Sequence, residues 1–228
     1  MAGTTAELGQ EDVTVAVITG GHPYDVRGFT HMFRRIRAAD CYIHHLEDFV
    51  CAGAQAQEYD VALFYTMPEP QPPRNTGGWE DRIQPALEEL GTTEQGIFLL
   101  HHAILTYWDW PFWSDIVGIR QRHLWGEHGY HHDQEIRVRI SDQDHPITRG
   151  LTDWTITDET YEMDEPAADN RILLTTDHPQ SMTAIGWTRT FRQSRVFCLG
   201  LGHDNQAYAD DGLRQVIERG IQWCARRI

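Results

Sequence analysis

The chain has 228 residues, 40% of them hydrophobic, and carries 34 acidic against 19 basic side chains for a formal net charge of −15. That length suits one α/β domain over 1–228, with 1–11 as a flexible N-terminal segment. The negative balance speaks against nucleic acid or an anionic membrane as partner, because both call for clustered positive charge. Every basic residue is arginine, which excludes a Schiff-base lysine, a lysine general base and a P-loop lysine, and no nucleotide cofactor is indicated.

Met1 to Glu11 has neither a basic region nor an apolar core and does not read as a signal peptide. No apolar run reaches the roughly 20 residues of a membrane span, so a cytoplasmic location is expected. Cys41, Cys51, Cys198 and Cys224 show no C-x-x-C spacing, and buried free thiols are the expectation.

Val13 to Gly20 reads as a first strand that runs into Gly20-Gly21-His22. Asp25 to Ala38 then places Val26, Phe29, Phe33 and Ile36 at helical spacing, with Arg34, Arg35 and Arg37 in the last turns, where positive charge suits the helix dipole. The amino end of this helix follows His22-Pro23-Tyr24, which brings backbone donors and a histidine toward one crevice. Cys41 to Leu46 and Asp60 to Thr66 read as strands, the latter entering the Pro- and Gly-rich Met67 to Gly78, either a connector or a flap over the site. Trp79 to Leu90 has the pattern of a helix.

Gly96-Ile-Phe-Leu-Leu-His-His-Ala103 is an apolar run that ends in two histidines, as expected of a buried parallel strand opening into a crevice. Trp108, Trp110, Trp113 and Trp125 follow within eighteen positions. They form either an aromatic core or a platform for sugar rings, with Asp109 a candidate for the hydroxyls. His123 to His132 holds four histidines, which would suit a metal or a solvated loop.

Gln134 to Ile140 alternates polar and apolar residues, as a half-exposed strand does. Asp142 to Leu151 has loop chemistry. In Trp154 to Met163, Asp158 and Glu159 serve as metal ligand or general base, or cap a helix. Ile172 to Thr175, Met182 to Trp187 and the run from Arg195 read as strands, the last delivering His203 beside Gly202. A helix over Asp211 to Ala225, capped by Asp210 or Asp211, closes the chain with Leu213, Val216, Ile217 and Gly220 on its buried side.

Gly20-Gly-His22, the histidine pair after the fourth strand, His145-Pro-Ile-Thr-Arg-Gly-Leu151, Asp158-Glu-Thr-Tyr161 and Gly202-His-Asp204 together resemble the ThuA-like (trehalose-utilisation) family of the class I glutamine amidotransferase-like superfamily. The resemblance spans nearly the whole chain and rests on the order and spacing of these pieces. It implies a flavodoxin-like, doubly wound and mostly parallel sheet with helices on both faces and extra late strands. It also implies a role in trehalose or disaccharide breakdown and a functional association with a sugar oxidoreductase and 3-keto sugars. Amidotransferases of that superfamily place a cysteine nucleophile where this chain has His101-His102. Without a thiolate there is no glutamyl thioester, so glutaminase activity is not expected.

Two readings follow. In the first, an enzyme acts on a disaccharide or 3-keto glycoside by hydrolysis or elimination. His102, His203 and Glu159 are then catalytic, and His22, Tyr24, His101, Trp108, Asp109, Tyr161 and Asp204 bind substrate. His22, His102 and His203 would hold a divalent metal such as zinc. In the second, the chain is a non-catalytic sugar-binding or assembly subunit. Both take a small sugar as ligand and leave a homo-oligomer open.

Overall fold

The computed structural model describes residues 13–67, 70–122 and 129–228. The segment 1–11, part of the candidate flap, Trp125, and His123 and His128 of the histidine-dense stretch lie outside the described residues. Among the described residues nine strands form: β1 Val13–Gly20, β2 Ala39–His45, β3 Val61–Thr66, β4 Gly96–Leu100, β5 Tyr130–Ile140, β6 Trp154–Tyr161, β7 Arg171–Thr175, β8 Ala184–Phe191 and β9 Ser194–Leu199. They make a single mixed sheet in the order β2-β1-β3-β4-β9-β8-β7-β5-β6.

The sheet is less parallel than expected. Among the described residues, β2, β1, β3, β4 and β9 are joined by four parallel ladders, and the remaining four ladders are antiparallel. The reason lies in the connections. β8 and β9 are linked only by Arg192 and Gln193, with Arg192 at φ 51°, and a link that short makes a hairpin but not a crossover. The late strands therefore form an antiparallel wing.

Strand alternation divides the core in two. Val13, Val15 and Val17 of β1, Leu63 of β3, Phe98 of β4 and Phe197 of β9 face one apolar cluster with Phe29, Met32, Leu213, Val216 and Ile217. Ala16, Ile18, Phe64, Ile97, Leu99, Val196 and Cys198 face the other with Phe49, Ile83, Leu87 and Trp113. Near-continuous apolar strands between two helical layers are what a sheet buried on both sides requires.

The helices are α1 Val26–Arg34, α2 Leu46–Cys51, α3 Ile83–Glu88, α4 Pro111–Val117, α5 Asn205–Ala209 and α6 Asp211–Cys224. Asp25 caps α1 by accepting the Arg27 N–H at 2.9 Å. The helix stops at Arg34, so Arg35 and Arg37 lie beyond it, and Arg35 pairs with Asp211 at 2.6 Å on the surface. α2 escaped the sequence reading. It begins at Leu46, which was expected to end a strand, and His45 serves as its N-cap, a residue type that seldom signals one.

The expected helix over Trp79 to Leu90 is split into a 3-10 turn, Trp79–Arg82, and α3. Pro85 offers no N–H for the bond back to Asp81, which leaves the first turn short. Asp158 and Glu159 stand in β6, so the helix-cap reading fails. All four cysteines are free, but only Cys198 and Cys224 are buried. Cys41 is half-buried and Cys51 exposed, which corrects the expectation of four buried thiols.

His145 explains its own motif. Its ring is 2% exposed, packs 5.1 Å from Trp223 between centroids, and accepts the Ile147 N–H at Nδ1, 3.2 Å away. Burial first, then the positive Arg171, pull its imidazole down to about 4. A group depressed on folding contributes stability that is intact above its unfolded value near 6.5 and is lost as pH falls toward 4. Thermal unfolding of His145→Gln between pH 7 and 4 should lose part of the acid-induced drop in Tm seen in the unaltered chain, equivalent to about 3 kcal/mol at most. An unchanged pH profile would refute this account.

Candidate active site

Three strand ends and one wing strand meet. β1 runs into Gly20 and Gly21, at φ 145° and 77°, a conformation that glycine adopts without steric cost and that leads straight to His22. β4 ends in the 3-10 turn His101–Ile104. β9 ends ahead of Gly202, at φ 119°, and His203. From the wing, β6 supplies Asp158, Glu159 and Tyr161.

His101 takes φ 54°, in the left-handed region that non-glycine residues seldom occupy. It stands at the sharp turn after β4 where the resemblance implied that a cysteine would be missing. Its ring is fully buried. Nδ1 lies 2.8 Å from the Gly200 carbonyl oxygen, and since a carbonyl only accepts, Nδ1 carries a proton; in the neutral ring Nε2 then presents its lone pair.

Around Nε2 stand the Tyr161 hydroxyl at 2.7 Å, Glu159 Oε2 at 3.0 Å and His203 Nδ1 at 3.2 Å. Glu159 Oε2 is also 3.4 Å from His203 Nδ1, and its other oxygen is 3.1 Å from His132 Nδ1. Glu159 and Tyr161 are two residues apart on β6, so strand alternation turns both toward His101.

Asp158 faces away from them. Its carboxylate accepts the backbone N–H groups of Gly202 at 2.6 Å, His203 at 2.9 Å and Glu159 at 2.8 Å. Tyr65 of β3 holds the same turn from the other side, donating to the carbonyls of Gly202 and His203, each at 3.0 Å, and sharing a 2.7 Å bond with Tyr208.

Burial alone would raise the Glu159 carboxyl, but its hydrogen bond to His101 and the charges of His101 and His203 hold it below its ordinary value. Burial, then the charge of His101, lowers the imidazoles of His102 and His203, His102 furthest, and burial likewise lowers His22. The site at neutral pH therefore pairs an ionised carboxylate with the neutral rings of His22, His102 and His203. Burial pushes the Tyr161 phenol up, as does the negative Glu159.

The rings expected to converge stand in one region: His22 is 4.7 Å from His102 and 6.1 Å from His203 between centroids. The ligand atoms that stand closest together are not those of the expected set His22, His102 and His203. Among the described residues, the ligand atoms that cluster within 4.8 Å belong to His101, Glu159 and His203. His102 instead packs 4.2 Å from Tyr65, with both ring nitrogens buried and unpartnered, as is His22 Nδ1.

Tyr24 braces the site from behind, 4.9 Å from Phe29 and 5.8 Å from Tyr65. Asp204 caps α5 by accepting the Gln206 N–H at 2.8 Å. Trp108 and Asp109 lie in the loop before α4, where the Asp109 N–H donates to the Pro70 carbonyl at 3.0 Å and ties that loop to the candidate flap. Trp110 and Trp113 are buried in the core, so for them the packing reading holds.

His132, Tyr65 and Arg122 were not singled out individually from the sequence. His132 belongs to the histidine-dense stretch, but its aim depends on a bulge between His131 and Gln134 with Asp133 at φ 56°, and bulges re-aim side chains. Tyr65 sits in an apolar strand without signal. Arg122, buried, donates to the carbonyls of Ile104, Thr106 and Tyr107 at 2.5, 2.9 and 3.3 Å and so clamps the turn that carries His101 and His102. Burial lowers its guanidinium to about 10.

The family model for ThuA, trehalose utilisation, matches residues 15–224. The chain belongs to the ThuA family. Its fold is similar to that of a protein described as ThuA-like from Parabacteroides merdae ATCC 43184, at 18% identity and TM-score 0.74 over 94% of this chain and 90% of that one. A second, from Bacteroides uniformis ATCC 8492, gives 15% identity and 0.67 over 97% and 95%. A protein described as a GMP synthase component, from Thermoplasma acidophilum, gives 11% and 0.56 over 96% of each chain. At these identities the likeness concerns the fold. No curated protein matches the chain. No described helix is long and apolar enough to cross a membrane.

Asp158 should be indispensable to this ThuA-family site. Asp158→Asn sets an amide donor against backbone donors, and a buried unsatisfied group costs about 1–3 kcal/mol. Denaturant unfolding should show a loss of that order, together with altered histidine ring resonances in NMR. A variant of unchanged stability and spectrum would remove Asp158 from this role.

Proposed function

We propose that the chain is a sugar-catabolic enzyme of the trehalose-utilisation type that acts on a disaccharide or 3-keto glycoside, by hydrolysis or elimination, through its histidine–carboxylate site. The observation that carries this reading is His102, 1% exposed with both ring nitrogens unpartnered. Buried polar groups are almost always satisfied, and imidazoles left without a protein partner are suited to exchange protons with a bound polar molecule. Sugar hydroxyls supply such partners.

In the elimination route, a neutral imidazole of the His22–His102 pair takes the proton from the carbon next to the ketone. The glycosidic C–O bond breaks, and the departing oxygen receives a proton. Water then adds to the unsaturated sugar, so the net change is hydrolysis. Glu159, kept ionised, offsets the positive charge that forms on the neighbouring rings, as a carboxylate behind a catalytic histidine does. Burial raises the thiol of Cys198 and keeps it protonated. Neither Cys198 nor any other cysteine stands at the turn after β4, and glutamine hydrolysis is not expected.

Purified protein assayed on trehalose, other disaccharides and their 3-keto forms should turn over at least one of them. His102→Ala and His203→Ala should lower kcat by about 10²–10⁴-fold, while sugar affinity, read by calorimetry, changes far less. Tight sugar binding by the unaltered chain with no turnover would favour a binding or assembly role instead.

A further inference from the structure

We propose that His101, Glu159 and His203 form the binding site of one divalent transition metal ion of the zinc class, with His132 as the outer partner that orients the carboxylate. The inference rests on the proposed sugar-processing role, whose site it completes. It starts from three distances. His101 Nε2, Glu159 Oε2 and His203 Nδ1 stand 3.0, 3.2 and 3.4 Å from one another. Ligand bonds of about 2.0–2.1 Å in a tetrahedron put the ligand atoms about 3.3 Å apart.

The protonation pattern points the same way. The Gly200 carbonyl fixes a proton on His101 Nδ1, so in the neutral ring Nε2 turns a lone pair toward the lone pairs of Glu159 Oε2, 3.0 Å away. Two acceptors at that distance repel unless a proton or a cation lies between them. The Tyr161 hydroxyl, 2.7 Å from Nε2, has one proton to give and cannot satisfy all three atoms. One metal ion bound by all three atoms does.

The surroundings have the outer shell of such a site. Metal-binding histidines commonly donate their second ring N–H to a backbone carbonyl, and ligating carboxylates are themselves hydrogen-bonded. His101 does the first through Gly200. Glu159 has the second, because its other oxygen lies 3.1 Å from His132 Nδ1. Two imidazoles and one carboxylate suit zinc or a similar ion, whereas magnesium and calcium prefer all-oxygen sets. Three protein ligands leave positions open for neighbouring sugar oxygens, and the unpartnered nitrogens of His102 and His22 are close by.

The test is zinc and cobalt(II) binding to the chelator-stripped chain, measured by calorimetry and elemental analysis without any sugar present. One equivalent should bind. X-ray absorption of the zinc form should show two imidazoles with oxygen ligands, a readout that needs no variant. His132→Ala should weaken binding about 10–100-fold and His203→Ala more, while His31→Ala, on the exposed face of α1, leaves it unchanged.

Failure to bind either ion below 100 µM, on the order of a weak adventitious contact, would overturn the proposal. So would binding that survives His203→Ala and Glu159→Gln, or that disappears in His123→Ala/His128→Ala instead. Sugar turnover by a chain that binds neither ion would sink the metal site and leave the acid–base reading standing. Metal binding without sugar turnover would do the reverse.

Discussion

The Asp158 carboxylate is the contact on which the site depends. It gathers the N–H groups of Gly202, His203 and Glu159 and so fastens the far wing of the sheet to the end of β9, four strands away in sheet order. Burial raises this carboxyl, while the charge of His101 and the three backbone donors oppose that rise. The donors offset the cost of burying the group and fix the spacing between β6 and β9. With that spacing set, the residue next to Asp158 places Glu159 among the histidines, and strand alternation from there places Tyr161 against His101.

The turn after β4 carries the second constraint. His101 is held at a positive φ, a conformation that costs on the order of 1 kcal/mol or more for such a residue. Arg122 stabilises it by occupying three carbonyls of the segment that follows, and Tyr65 supports the facing turn at His203. A strained strand-to-helix turn at the end of a parallel strand presents one side chain to the crevice. Here that side chain is an imidazole whose Nε2 faces a carboxylate.

Two populations of histidine result. His101, His132 and His203 are joined to Glu159 and form a fixed array. His102 and His22 keep buried nitrogens that no protein group satisfies, an arrangement that costs stability and is the kind of compromise that functional sites make. The division separates the proposed ion-binding array from the rings left to meet a polar molecule in the proposed reaction.

The sequence by itself determined the parallel half of the sheet, because runs such as Val13 to Gly20 and Gly96 to Leu100 are apolar on both faces and end in glycine or histidine. It also determined which residue types gather at the crevice, since His22, His101, His102 and His203 all follow strands. It could not show that Glu159 and His132 join them. Strand pairing across a wing whose members are distant in sequence, and a bulge that re-aims His132, are decided by backbone hydrogen bonds between segments that no local pattern records. Nor could it show which of His101 and His102 stands beside Glu159. One φ angle at the turn after β4 settles that, and it is set by packing and by the clamp from Arg122 rather than by the identity of two adjacent, chemically equal residues.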